Sequence, residues 1–393
     1  MRRNAALRLS RRAGGGALRG RIYTTGAALR MTSLFDPVTM GAIYCANRIF
    51  MAPLTRQRAT REHVPTPLMA DYYAQRASAG LIIAEAAGVS REGWSWTTGP
   101  GLWTAEQTEG WKQVTDAVHA QGGSIIAQIL HMGRLVHSSV TGLQPVSSSA
   151  TIAQQQIHTD AGKVDPEPAR AITRDDIARI VEDHAIAARN AMAAGFDGVQ
   201  IHAANGYLID EFLRDNSNFR TDEYGGVPEN RIRFLREITE AVIAEIGAER
   251  TAVRLSPNGD VQGCIDSDPE RVFVPAAAVL DALGIAFLEI RELRPEGTFR
   301  TSDQPPIHDA LRKAFRRPLV LNQDYGRTDA MEAVSSGLAD AIAFGRPFIA
   351  NPDLPRRLRE QQTLEKDDVA TWYSGGSNGY IDYPALDEGA VAS

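Results

Sequence analysis

Residues 198–212 read GVQIHAANGYLIDEF. Val199 and Ile201 alternate with Gln200 and His202 as in a β-strand. His202, Asn205 and Tyr207 then arrive within six residues, just where the strand gives way to a helix-like run. An imidazole, a carboxamide and a phenol gathered in one strand-end loop are groups that donate hydrogen bonds or carry protons. Three more polar side chains interrupt or end apolar runs: Gln128 in SIIAQILH, Arg254 in TAVRLSP and Arg346 in DAIAFGRP. An inward-pointing Arg needs an anion or a carboxylate, because burying it unpaired costs several kcal/mol. Singly, each has a plainer reading. The His would be hydrogen-bonded core, and an Arg the salt-bridge partner of a residue such as Glu85 or Glu289. Jointly they point to one site with cationic groups for an anionic ligand.

The elements that must position these groups repeat one pattern after Met31: a short apolar strand, a polar loop, an amphipathic helix. Strands are expected at 48–55, 80–88, 124–131, 198–204, 251–257, 286–292, 318–325 and 340–347. Helices are expected over 104–122, with Thr104 and Gln107 in capping-box spacing, and over 173–195, from Thr173 to a C-capping Gly195. Eight strand–helix units predict an α/β fold, a (β/α)8 TIM barrel. No GxGxxG turn follows the first strand, and no GxxxxGK[ST] loop occurs. Residues 134–172 make a connection too long for an ordinary loop and are expected to cap the active site after strand three. Catalytic groups of such barrels lie at the C-terminal strand ends, which is where His202, Asn205 and Tyr207 fall.

Composition narrows the classes. The chain has 393 residues, 43% hydrophobic and 23% charged, with a net charge of −6. There is no basic face for nucleic acid, and no apolar run of membrane-spanning length. Two cysteines, Cys45 and Cys264, exclude a cysteine-ligated iron–sulfur cluster or a four-Cys zinc site. His131 and His137 flank Gly133–Arg134, but no metal site is assigned to them. The first thirty residues hold eight Arg and no Lys, Asp or Glu. They read either as a mitochondrial or plastid transit peptide or as an extended start ahead of Met31, so the barrel is expected over 31–393. The expected location is cytoplasmic, or an organelle if the leader is a transit peptide.

MAPLTR (51–56), HAANGYLIDEFLRDNSNFRTDEYGG (202–226), DAIAFGRPFIANPDL (340–354) and YSGGSNGYIDYP (373–384) resemble the Old Yellow Enzyme family, in family order and along nearly the whole chain after the leader. The resemblance implies a barrel flavoprotein that uses non-covalent FMN and NADPH or NADH to reduce enones, enals or nitroalkenes. It implies that His202 and Asn205 hold the substrate oxygen and that Tyr207 protonates the α-carbon. For the flavin it implies Pro53, Thr55, Ala86, Gln128, His202 and Arg254, with Asp324, Tyr325, Gly345 and Arg346 toward the phosphate. Tyr373 is implied as a pocket aromatic.

Departures bear on specificity. Leu130 stands in QIL where relatives usually carry QLW, and with period two it shares the inward face with Gln128, so a wider pocket is expected there. Trp96, near a position usually held by Tyr, is expected to narrow the opposite side. Gln200 replaces a common Glu, with no role assigned. LNQDYG (321–326) lacks the glycine-rich form that many relatives show. The absence of a Cys cluster separates the chain from the longer dienoyl-CoA reductase relatives. Trp94, Trp103 and Trp111 are expected to pack, and Cys264 is expected to be incidental. A monomer or homodimer acting on a small molecule is expected. The alternatives are another FMN-barrel oxidoreductase and a flavin-binding or stress-sensing protein with incidental turnover.

Overall fold

The computed structural model describes residues 32–298, 300–373 and 375–386; the Arg-rich leader lies outside them. All eight expected strands form: β1 (Ile49–Met51), β2 (Leu81–Gly88), β3 (Ile125–Leu130), β4 (Val199–His202), β5 (Thr251–Leu255), β6 (Phe287–Arg291), β7 (Leu319–Asn322) and β8 (Ala341–Phe344). They pair in parallel in chain order and close β8 onto β1, making the expected barrel. The main helices on its outside are α1 (Pro67–Ala74), α2 (Ala105–Ala120), α3 (Arg174–Ala193), α4 (Pro228–Ile246), α5 (Pro269–Leu283), α6 (His308–Ala314), α7 (Arg327–Ser335) and α8 (Leu354–Glu360). Thr104 and Gln107 form their capping box at the start of α2. Thr173 does the same for α3 with Asp176, and Gly195 follows that helix at φ +86°.

Alternation along the strands sorts the side chains. In β1, Ile49 and Met51 pack outward into the layer shared with the helices, and Phe50 turns into the lumen. There it joins Ile126, Ala252, Phe287 and Val320, with the Phe50 and Phe287 rings edge-on at 6.3 Å. Two residues further along the same inward faces come Gln128, Arg254, Glu289 and Asn322, all buried. The lumen therefore turns from apolar to polar within one layer of side chains, and the polar layer is the floor of the site.

A hairpin (Val38–Met40 with Ile43–Cys45) closes the other end of the barrel, its Met40, Ile43 and Cys45 packing into the lumen cluster. Its tight turn needs Gly41 at φ +61°, where an added Cβ would collide with the Glu249 carbonyl. At the top, the long connection after β3 is structured. It contains a short parallel pair (Val146–Ser147 with Arg170–Ala171) and an antiparallel hairpin (Ile157–Thr159 with Gly162–Val164). Gln156, Ile157, His158 and Lys163 of this segment wall the cavity described next, as expected of a cap.

Candidate active site

A cavity of about 860 Å³ opens at the C-terminal ends of the strands, and every site residue singled out from the sequence lines it. Pro53 and Thr55 follow β1, Ala86 lies in β2, and Gln128 and Leu130 lie in β3. His202 ends β4, with Asn205 and Tyr207 just beyond, and Arg254 lies in β5. Asp324 and Tyr325 follow β7, and Gly345 and Arg346 follow β8. Trp96 and Tyr373 stack at 5.7 Å and form one wall. A volume in this range accommodates a cofactor-sized ligand.

The hydrogen bonds fix how His202 and Asn205 point. The backbone N–H of Ala204 donates to His202 Nδ1 at 3.3 Å, so the neutral imidazole carries its proton on Nε2. Arg291 Nη1 donates to Asn205 Oδ1 at 2.7 Å. A guanidinium only donates, so the amide nitrogen of Asn205 must be its other end. That nitrogen stands 3.5 Å from His202 Nε2. Two N–H groups this close cannot satisfy each other; both are left to donate to a third atom, an acceptor oxygen. Burial, then the charges of Arg254 and Arg291, hold the imidazole pKa well below its ordinary value, so His202 acts as a neutral donor.

Tyr207 stands beside this pair, its ring 5.1 Å from the His202 ring and nearly perpendicular to it. It is the N-cap of the short helix Leu208–Leu213, which sets its distance from the strand end. Asn205 between them takes φ +61°, a left-handed conformation that Asn tolerates better than most residues, and its N–H donates to Ser256 Oγ at 2.7 Å. Burial raises the Tyr207 phenol above its usual pKa, so it keeps its proton at neutral pH.

The cationic groups are placed differently from one another. Arg254 stands 3.0 Å from Glu289, the carboxylate that the plainer reading of the sequence named, and its Nη2 donates to Asn322 Oδ1 at 2.7 Å. It still lines the cavity. Arg346 meets an internal carboxylate, Asp324, at 3.0 Å, and also the Thr298 hydroxyl. Gln323 and Asp324 adopt φ +100° and +53°, so this turn is made by residues that favour a left-handed backbone less than glycine does.

Arg291 was missed in the sequence, although it stands in AFLEIRE two places after Glu289 on the same inward face, and period two would have found it. Its Nε donates to Gln323 Oε1 at 2.9 Å. No described carboxylate lies within ion-pair distance of it. Burial, then Arg254 and Arg300 nearby, pull its pKa down to about 9 against the opposing charges of Asp324 and Glu289, leaving it a cation at neutral pH. Cys264 is buried with its thiol pushed up to about 12, which makes it a poor nucleophile. Trp94 and Trp111 are fully buried, and Trp103 packs with Trp94, as expected.

The pattern of the NADH:flavin oxidoreductase / NADH oxidase family matches residues 33–365. Among solved structures, the old yellow enzyme homologue from Zymomonas mobilis is 59% identical, with a TM-score of 0.89 over 90% of this chain and 100% of that one. Morphinone reductase in complex with tetrahydroNAD is 41% identical, with a TM-score of 0.86 over 92% of this chain and 100% of that one. The 12-oxophytodienoate reductase 1 of Oryza sativa subsp. japonica is 40% identical over 368 residues, which cover 92% of this chain and 95% of the relative.

Proposed function

Because the chain belongs to the NADH:flavin oxidoreductase / NADH oxidase family, as an Old Yellow Enzyme homologue, we propose that it reduces the activated C=C bond of α,β-unsaturated carbonyl compounds and of nitroalkenes, with NADPH or NADH as donor. The observation that carries this reading is the pair of N–H groups, His202 Nε2 and Asn205 Nδ2, held 3.5 Å apart with no acceptor among the described residues, next to a protonated phenol.

The donor set fits FMN. Thr55 and Gln128 offer polar groups to a pyrimidine edge, with the Arg254 cation near Gln128 in the same floor. Arg346, Gly345 and the β7 turn would hold the phosphate, where barrels of this class commonly bind one. Bound FMN supplies the hydride chemistry, from the nicotinamide donor to the β-carbon of the alkene. The chain's own groups do the rest. His202 and Asn205 hold the carbonyl or nitro oxygen and stabilise the negative charge that builds there, a contribution of about 10²–10³ in rate per well-placed donor. Arg291, fixed behind Asn205, adds a positive charge on the same side. Tyr207 gives its proton to the α-carbon.

The test is a visible spectrum of the purified protein, recorded without oxygen, before and after NADPH and then cyclohexenone. Flavin bands that bleach with NADPH and return with the enone are expected. A protein that takes up no FMN, or whose bleached bands do not return, would refute the reading.

A further inference from the structure

Two residues directly under the cavity have no part in the chemistry above. Gln200 and Glu289 are fully buried, and they join Gln128 in one line of hydrogen bonds. Gln128 Nε2 donates to Gln200 Oε1 at 2.7 Å, and Gln200 Nε2 donates to Glu289 Oε2 at 2.7 Å. The ends of an amide are interchangeable in shape, so something must decide which way each one faces. Here the carboxylate decides. It only accepts, so Gln200 must turn its nitrogen toward β6, and Gln128 must in turn give its nitrogen to Gln200. What remains of Gln128 is its carbonyl oxygen, which has no donor among the described residues, on a side chain that lines the cavity. The other oxygen of Glu289 stands 3.0 Å from Arg254 Nε, a charge contact without an aligned hydrogen bond.

We propose that Glu289, acting through Gln200, is a positioning residue that fixes Gln128 with its oxygen toward the cavity, to accept the N3–H of the isoalloxazine, while the same carboxylate offsets the Arg254 charge and holds the flavin potential down. The pyrimidine edge presents one donor, N3–H, between two carbonyls. An amide facing it the wrong way would set donor against donor. Gln200, which has no role in the sequence reading, is the joint that transmits the direction. A Glu there would lie beside Glu289, two carboxylates sharing one buried site, so the Gln at 200 and the acid at 289 are parts of one arrangement.

The proposal rests on FMN binding, and its test separates the two. Wild type, Glu289→Gln and the double variant Gln200→Glu/Glu289→Gln are reconstituted with FMN labelled with ¹⁵N at N3. The N3–H proton signal and the midpoint potential are then measured. In Glu289→Gln the donor-only Arg254 draws the new amide's oxygen, its nitrogen turns toward Gln200, and the direction of the hydrogen-bond line is no longer the one that leaves the Gln128 oxygen to the cavity. The variant's N3–H signal is expected to move upfield and exchange faster, and the reduced-to-oxidised flavin ratio at a given potential to rise about tenfold, about 30 mV for a two-electron couple. In the double variant the carboxylate at 200 accepts directly from Gln128, and the N3–H signal is expected to return to that of wild type. An unchanged N3–H signal in Glu289→Gln, or a double variant without recovery, would overturn the proposal and leave the proposed function standing. A wild-type protein that binds no FMN would overturn both. If Glu289→Gln alone fails to fold, the double variant still decides by its N3–H signal.

Discussion

A phenol and two N–H donors do different work, and substitution can separate them. Tyr207→Phe removes only the proposed proton source. Reduction of the enzyme by NADPH is expected to stay within about twofold of wild type, while reoxidation by cyclohexenone falls by about 10²-fold or more. Stopped-flow traces showing equal slowing of both halves would exclude that role. Arg291 is expected to act through Asn205, because it holds the amide oxygen. Arg291→Met should weaken binding of a phenol, whose oxygen mimics the substrate's, by about tenfold, or about 1.4 kcal/mol. In an Asn205→Ala background the same change should add little, since the two are coupled. Additive losses in the cycle would mean that Arg291 acts by charge alone. The candidate triplet His202, Asn205 and Tyr207 was legible in the sequence because it lies within six residues. The inward face of Arg291 was legible by period two, but its hold on Asn205 was not, because the two are 86 residues apart and only the barrel brings them together.

At the scale of the element, the ends of β7 and β8 carry a competition. The Asp324 carboxylate holds Arg346, the cation expected to receive the phosphate. Asp324→Asn keeps the shape of the turn and removes the competing charge, so it is expected to tighten FMN binding about tenfold when apoprotein is titrated with FMN. Weaker binding would show that Asp324 helps to hold Arg346 in place. The turn also stores backbone strain, since Gln323 and Asp324 both have positive φ. Gln323→Gly should stabilise the apoprotein by up to about 1 kcal/mol, less the loss of the Arg291 contact. The eight strands were legible because each is a compact apolar run bounded by polar loops. The cap hairpin was not, because IHT and GKV are short and mostly polar, and such strands leave no periodic signal. Its position over the site followed from the length of the connection alone.

Across the whole molecule, buried imidazoles set the response to acid. Burial lowers His131 to about 3 and His184 to about 4. Their folded values lie below the unfolded one, so as pH falls through about 6.5 the unfolded chain takes up protons first and stability is lost. Burial raises Glu211 to about 7, which works the other way: the folded protein takes that proton first and offsets one His between about pH 7 and 4.5. The melting temperature is therefore expected to fall between pH 6.5 and 5, and His184→Gln should flatten the slope. A parallel slope in the variant would show that His184 does not contribute.

The hairpin that seals the far end of the barrel also has a kinetic consequence. With Met40, Ile43 and Cys45 packed into the lumen, the described residues leave the cavity open at the top of the barrel, past the capping segment. On the proposed function, a nicotinamide donor and an alkene that both react over one flavin are expected to share that doorway. Each is then expected to act as a dead-end inhibitor of the other's half of the cycle, so turnover should pass through a maximum as either concentration is raised at a fixed level of its rival.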